Sequence, residues 1–118
     1  MARALASLIL ALAAACERLP EHEPLTGGNP RQGRSLIQHY GCGSCHRIAG
    51  VPGADATIGP PLDRLAQRVY LAGRLANSPQ NLVKWIRDPR AVDSQTVMPA
   101  VGVDEAGARD IAAYLYTR

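Results

Sequence analysis

Five consecutive residues, Cys42-Gly43-Ser44-Cys45-His46, constrain this chain more than anything else in it. A Cys-x-x-Cys run followed directly by an imidazole is the attachment pattern of a c-type haem. Each thiol can add across one vinyl group of the macrocycle, which leaves two thioether bonds. On a helical turn Cys42 and His46 stand four apart and share one face. The imidazole is then held beneath the ring, where it can serve as proximal iron ligand. Other readings of the run demand more. A thioredoxin-like dithiol needs a βαβ pattern around it, and none follows. A zinc site needs a fourth ligand, and the other candidates are scattered. A chance match is the remaining alternative.

Composition agrees with the motif without having suggested it. The chain has 118 residues, enough for one domain, with no Phe, one Trp and four Tyr. So few large apolar side chains make a self-sufficient core hard to build. A haem would supply the missing bulk. The formal charge of +3 includes Arg3, which lies in the expected signal segment. This modest, unclustered excess excludes a nucleic-acid-binding balance.

Residues 1–15 carry one positive charge, at Arg3, and then an Ala/Leu/Ile run. That run is too short for a membrane-spanning helix, which needs ~20 residues, and reads as a secretory signal peptide. Ala13-Ala14-Ala15-Cys16 is similar to a bacterial lipobox, in which Cys16 becomes the lipid-bearing first residue. Ala13 departs from the usual Leu, which here lies one place earlier as Leu12. Ordinary cleavage after Ala15 is the alternative and would leave Cys16 as a free exported thiol. Residues 16–28 hold prolines, glycines and glutamates with little apolar between them, and read as a flexible linker. As a random coil, this linker would span roughly 20 Å.

The folded domain is expected over 29–118. Asn29-Pro30 is an N-cap with a first-turn proline, and Gln32 completes a capping-box pattern. Gly33, Leu36, Ile37 and Tyr40 then recur on one helical face. Arg47 to Leu62 reads as a Gly/Pro-rich loop. Within it, Pro60 is the candidate carbonyl for the second ring nitrogen of His46, an imidazole ligand normally donating that N–H to such a group. Leu62 to Leu71 has a mixed pattern. Ser78-Pro79 opens a clearer helix, which Asp88-Pro89 closes. Asp104 caps a last helix with Ala108, Ile111, Ala112 and Leu115 on one face, expected to pack on the first with Tyr114 near Gly33. No strand pattern is convincing.

A simple electron carrier needs a sixth iron ligand. Met98 lies in a downstream loop free to cross to the other haem face. Met1 is lost with the signal, His22 lies in the linker, and His39 shares the helix leading to His46. Met98 is the expected ligand, and its thioether would raise the potential relative to bis-histidine ligation.

Tyr40-Gly41-Cys42-Gly43-Ser44-Cys45-His46, Gly59-Pro60-Pro61-Leu62, Met98-Pro99 and Ala113-Tyr114-Leu115, in that order, resemble the class I c-type cytochromes. The likeness covers about 29–118. Asn77-Ser78-Pro79-Gln80-Asn81-Leu82 and Trp85-Ile86-Arg87-Asp88-Pro89 look like the cytochrome c domain fused to subunit II of some bacterial haem-copper oxidases, here without a copper-binding domain upstream. The resemblance implies a small all-α fold of three to five helices around one covalent haem c. It implies Pro60 on His46, Leu62, Trp85 and Ile86 lining the pocket, and Arg74, Tyr70 or Asn77 on a propionate. It further implies a non-enzymatic electron carrier on the periplasmic side of a bacterial inner membrane, lipid-anchored through Cys16 or soluble there. Its partners would be a quinol-cytochrome c oxidoreductase or a terminal oxidase. A fixed haem subunit of a larger complex and a haem sensor with displaceable Met98 are the competing readings.

Overall fold

The computed structural model describes residues 18–118; the signal segment and Cys16 lie outside them. Helix α1, Pro30–His39, starts where Asn29 Oδ1 accepts the backbone N–H groups of Arg31 and Gln32. That satisfies two of the orphan donors of a helix start. The other half of the expected capping box is made differently. The Asn29 N–H donates to Asp110 Oδ1 at 2.8 Å, so a carboxylate from the last helix takes the role assigned to Gln32.

A short 3₁₀ turn at Cys42–Ser44 follows α1, and a second occupies Leu65–Gln67. Between them Ile48 donates to Ala54 across a tight loop, and Arg47 pairs with Asp55 as an isolated antiparallel bridge. Strands β1, Tyr70–Leu71, and β2, Leu75–Ala76, form a two-residue antiparallel hairpin with Leu71 opposite Leu75. The sequence pattern does not reveal this hairpin, since its strands are too short to show alternation. Helix α2, Pro79–Arg87, is capped by Ser78. Asp88 ends it and opens the single turn of α3, Pro89–Val92. Helix α4, Glu105–Tyr116, is capped by Asp104, whose carboxylate accepts the Gly107 N–H at 2.7 Å.

The described residues thus form four helices, with α1 packed against α4 and α2 against the same α4. Its core gathers Ile37, Ile48, Leu65, Leu71, Leu82, Ile86, Ile111 and Leu115, with Tyr114 wholly buried. The crossing of α1 and α4 is close because Gly33 lacks a side chain. A Cβ there would strike the backbone of Asp110 and Ile111. The closest approach at Gly33 is therefore to that backbone, one turn before Tyr114. The Tyr114 hydroxyl instead donates to the Ala49 carbonyl at 2.7 Å, tying α4 to the loop after the motif.

Part of the stretch read as flexible linker packs onto the body. Glu23 is 6% exposed, and its carboxylate accepts the N–H groups of Leu25 and Thr26 at 3.0 and 2.7 Å. The Glu23 N–H donates to the Gly28 carbonyl, and the Gly27 N–H returns to Glu23. Leu19 lies against the core, its carbonyl accepting from the Arg31 guanidinium at 3.3 Å.

Candidate functional site

The Cys-x-x-Cys-His run begins where α1 stops. Gly41, at φ 72°, turns the chain in a left-handed conformation open to glycine. The next residues wind tightly: the N–H groups of Cys45 and His46 both donate to the Cys42 carbonyl, at 3.2 and 3.0 Å. The shared helical face expected from the spacing is therefore one 3₁₀ turn closed by one α-type bond. Both thiols are free and half-buried. Burial is the largest influence on Cys42 and pushes its thiol pKa up; its own backbone partly offsets this, and neighbouring Cys45 adds to it. A raised value keeps the protonated thiol at neutral pH and slows disulfide exchange, which needs the thiolate.

His46 is held from the far side of its loop. The Gly59 N–H donates to the Cys45 carbonyl at 2.7 Å, and the Leu62 N–H to the Arg47 carbonyl at 2.9 Å. Arg47 adds an ion pair to Asp63 at 2.9 Å. These contacts bracket His46 and deliver the Pro60 carbonyl to within 2.7 Å of His46 Nδ1. A carbonyl can only accept, so Nδ1 carries the proton and Nε2 keeps its lone pair for a metal. Gly59 makes the clasp possible: a side chain there would run into the His46 ring. Sequence reading gives Pro60 this role but includes Gly59 only as a member of the Gly59-Pro60-Pro61-Leu62 run, with no role of its own.

The other expected pocket residues sit on separate elements. Leu62 is half-buried against the core, Trp85 is half-buried on α2, and Met98 is half-buried in the segment between α3 and α4. Ile86 is buried in the core beside Leu82. No hydrogen bond joins these side chains to the motif among the described residues. Arg74 reaches Asp93 Oδ2 at 3.3 Å from the end of the hairpin turn. Tyr70 is largely exposed. Asn77 is committed within the protein: its amide donates to the carbonyls of Leu65 and Arg68 at 2.8 Å each, and its oxygen accepts from Tyr116. Its side chain has no N–H left for a propionate.

The donor set suits a covalently held haem. Two free thiols for its vinyl groups, and an imidazole with Nε2 unclaimed and a soft thioether at Met98 for its iron, are what such a group takes. A zinc reading lacks partners, since no cluster of three or more His, Cys, Asp or Glu gathers among the described residues. The larger cleft, ≈ 720 Å³, lies away from this chemistry, between Leu25, α2 and the start of α4. A smaller one, ≈ 330 Å³, borders the clasp from Arg47 to Pro61. No helix among the described residues is long and apolar enough to cross a membrane.

Residues 31–118 match the family model described as Cytochrome c. Over 85 residues the chain is 35% identical to a cytochrome c oxidase subunit 2 of Alkalihalophilus pseudofirmus, an alignment covering 71% of this chain and 24% of that protein. The chain thus spans about a quarter of the length of that curated relative.

Proposed function

Because the chain belongs to the cytochrome c family, whose members are haem-bearing electron carriers and not catalysts, we propose that it passes single electrons toward a respiratory oxidase. Cys42 and Cys45 would hold a haem through thioether bonds. His46 Nε2 and the Met98 sulfur would bind its iron, and Leu62 and Trp85 would line its pocket. The haem supplies the one-electron couple when bound. With His46 and Met98 both on the iron, no coordination site would be left for a substrate.

One observation carries this reading: the 2.7 Å contact between His46 Nδ1 and the Pro60 carbonyl. It fixes the tautomer and ring orientation of His46, and it makes the imidazole a stronger ligand. The electron donor would be a quinol-cytochrome c oxidoreductase and the acceptor a terminal oxidase, each docking through a modest, short-lived contact. The site of action is the periplasmic face of an inner membrane. Residues 1–15 serve as the export signal and Cys16 as the lipid-bearing first residue.

The absorption spectrum of the ferrous protein, with and without carbon monoxide, tests the closed site. An unchanged spectrum is expected. Rapid carbon monoxide binding would overturn six-coordination and favour a sensor. The similarity to part of an oxidase subunit supports a second reading, a fixed subunit of a larger complex. A stable stoichiometric complex isolated from membranes in mild detergent would decide for it against the mobile carrier.

A further inference from the structure

We propose that Arg74 is a positioning residue for the Met98 segment, acting through Asp93, and that it is not a propionate partner. The proposal rests on the reading of Met98 as axial ligand.

The segment that presents Met98 is held mostly by its own turns. The Asp93 N–H closes α3 by donating to Pro89. Asp93 Oδ1 then accepts the Gln95 N–H at 3.0 Å, and its carbonyl accepts the Thr96 N–H at 3.1 Å. Thr96 Oγ1 in turn accepts the Met98 N–H at 3.2 Å. Asp93 is therefore the first link of a chain of local bonds that ends on the Met98 backbone. Local turns fix the shape of such a segment but not where it sits.

Arg74 supplies a polar contact to this segment from another element. Its Nε lies 3.3 Å from Asp93 Oδ2, the carboxylate oxygen that Gln95 leaves unused. The arginine departs from a rigid base. Its backbone N–H donates to the carbonyl of buried Leu71 at 2.9 Å, across Ala72 and Gly73, both at positive φ. The hairpin thus projects a cation onto the residue from which the Met98 segment unwinds. An arginine whose charge is already answered by Asp93 has less to give a propionate.

Exogenous imidazole tests this on the ferric holoprotein, because it binds iron only when Met98 leaves and its segment moves. Displacement is read from loss of the sulfur-to-iron charge-transfer band. Arg74→Gln and Asp93→Asn should each bind imidazole about threefold more tightly, the scale of a partly exposed ion pair. In Asp93→Asn the side-chain amide oxygen can still accept from Gln95, so the local turn survives that change. The double variant, which keeps the net charge of the pair, should bind no more tightly than either single one. Unchanged imidazole affinity in Arg74→Gln would overturn the proposal. So would a double variant that binds imidazole more tightly than either single one, the sign that the two residues act apart. A wild-type protein without the band, or a Met98→Ala variant that keeps it, would sink the ligand reading first and this proposal with it.

Discussion

Gly33 leaves no room for a methyl group. A Cβ would press on the Asp110 carbonyl, backbone against backbone, and no rotamer change can relieve that. Gly33→Ala is expected to cost about 3 kcal/mol, the upper end for overpacking, in denaturant unfolding of the holoprotein. Met98→Ala makes the complementary chemical prediction. It should leave the fold standing and open the sixth position, so that the ferrous protein binds carbon monoxide where the native one does not. How much of this could be read in advance depends on where each residue's partner lies. The helical face containing Gly33 is legible because its apolar neighbours recur within a few residues. The Asn29 cap is half legible. Its two acceptor bonds go to the next residues, but its N–H finds Asp110, far along the chain, and Gln32 nearby is the only candidate a sequence can offer. Gly59 escapes for the same reason: the His46 ring it faces is brought there by folding.

Short elements here depend on conformations their sequences do not advertise. The hairpin turns through Ala72 and Gly73 at φ 52° and 65°. Glycine adopts that region freely, whereas for alanine it costs roughly 1–2 kcal/mol. Ala72→Gly should therefore raise the melting temperature of the holoprotein, with a gain of about 1 kcal/mol less the glycine's extra chain entropy. Because alanine is no turn signal and each strand has two residues, this hairpin is invisible to pattern reading. Helix α2 is better marked, since Ser78-Pro79 places a capping side chain ahead of a proline, whereas Asp88-Pro89 reads only as its end and the single turn of α3 behind it goes unread. The end of α4 carries a titration of its own. The Tyr116 hydroxyl donates to Asn77 at 2.7 Å. Burial first, and then the charge of Glu23, push its pKa above the ordinary phenol value of about 10. The folded protein thus holds this proton more tightly than the unfolded chain. That contribution is full below about pH 10 and is lost as pH rises through the folded value. Melting temperature should fall above about pH 10, and less steeply in Tyr116→Phe.

Taken whole, the molecule brings its two terminal helices together and carries the Cys-x-x-Cys-His run beyond the far end of α1. That helix has ten residues, about 15 Å of rise. Chain ahead of α1 is expected from sequence to be slack, because a polar run rich in Pro and Gly looks the same whether it wanders or is folded into a turn by one buried carboxylate. Glu23 folds it into a local turn, and Leu19 is held to the body by the core and by Arg31. With Cys16 as the lipid-bearing residue, only about three peptide steps, about 10 Å at full extension, separate the anchor from the packed body. Spin labels on the domain surface of vesicle-bound protein should therefore report slow, restricted tumbling, and a Gly-Ser insertion ahead of Arg18 should free it. Such a stalk is too short to act as a swinging arm. Electrons would then move at the pace of two-dimensional diffusion, with turnover set by how densely donor and acceptor complexes crowd the same sheet of lipid.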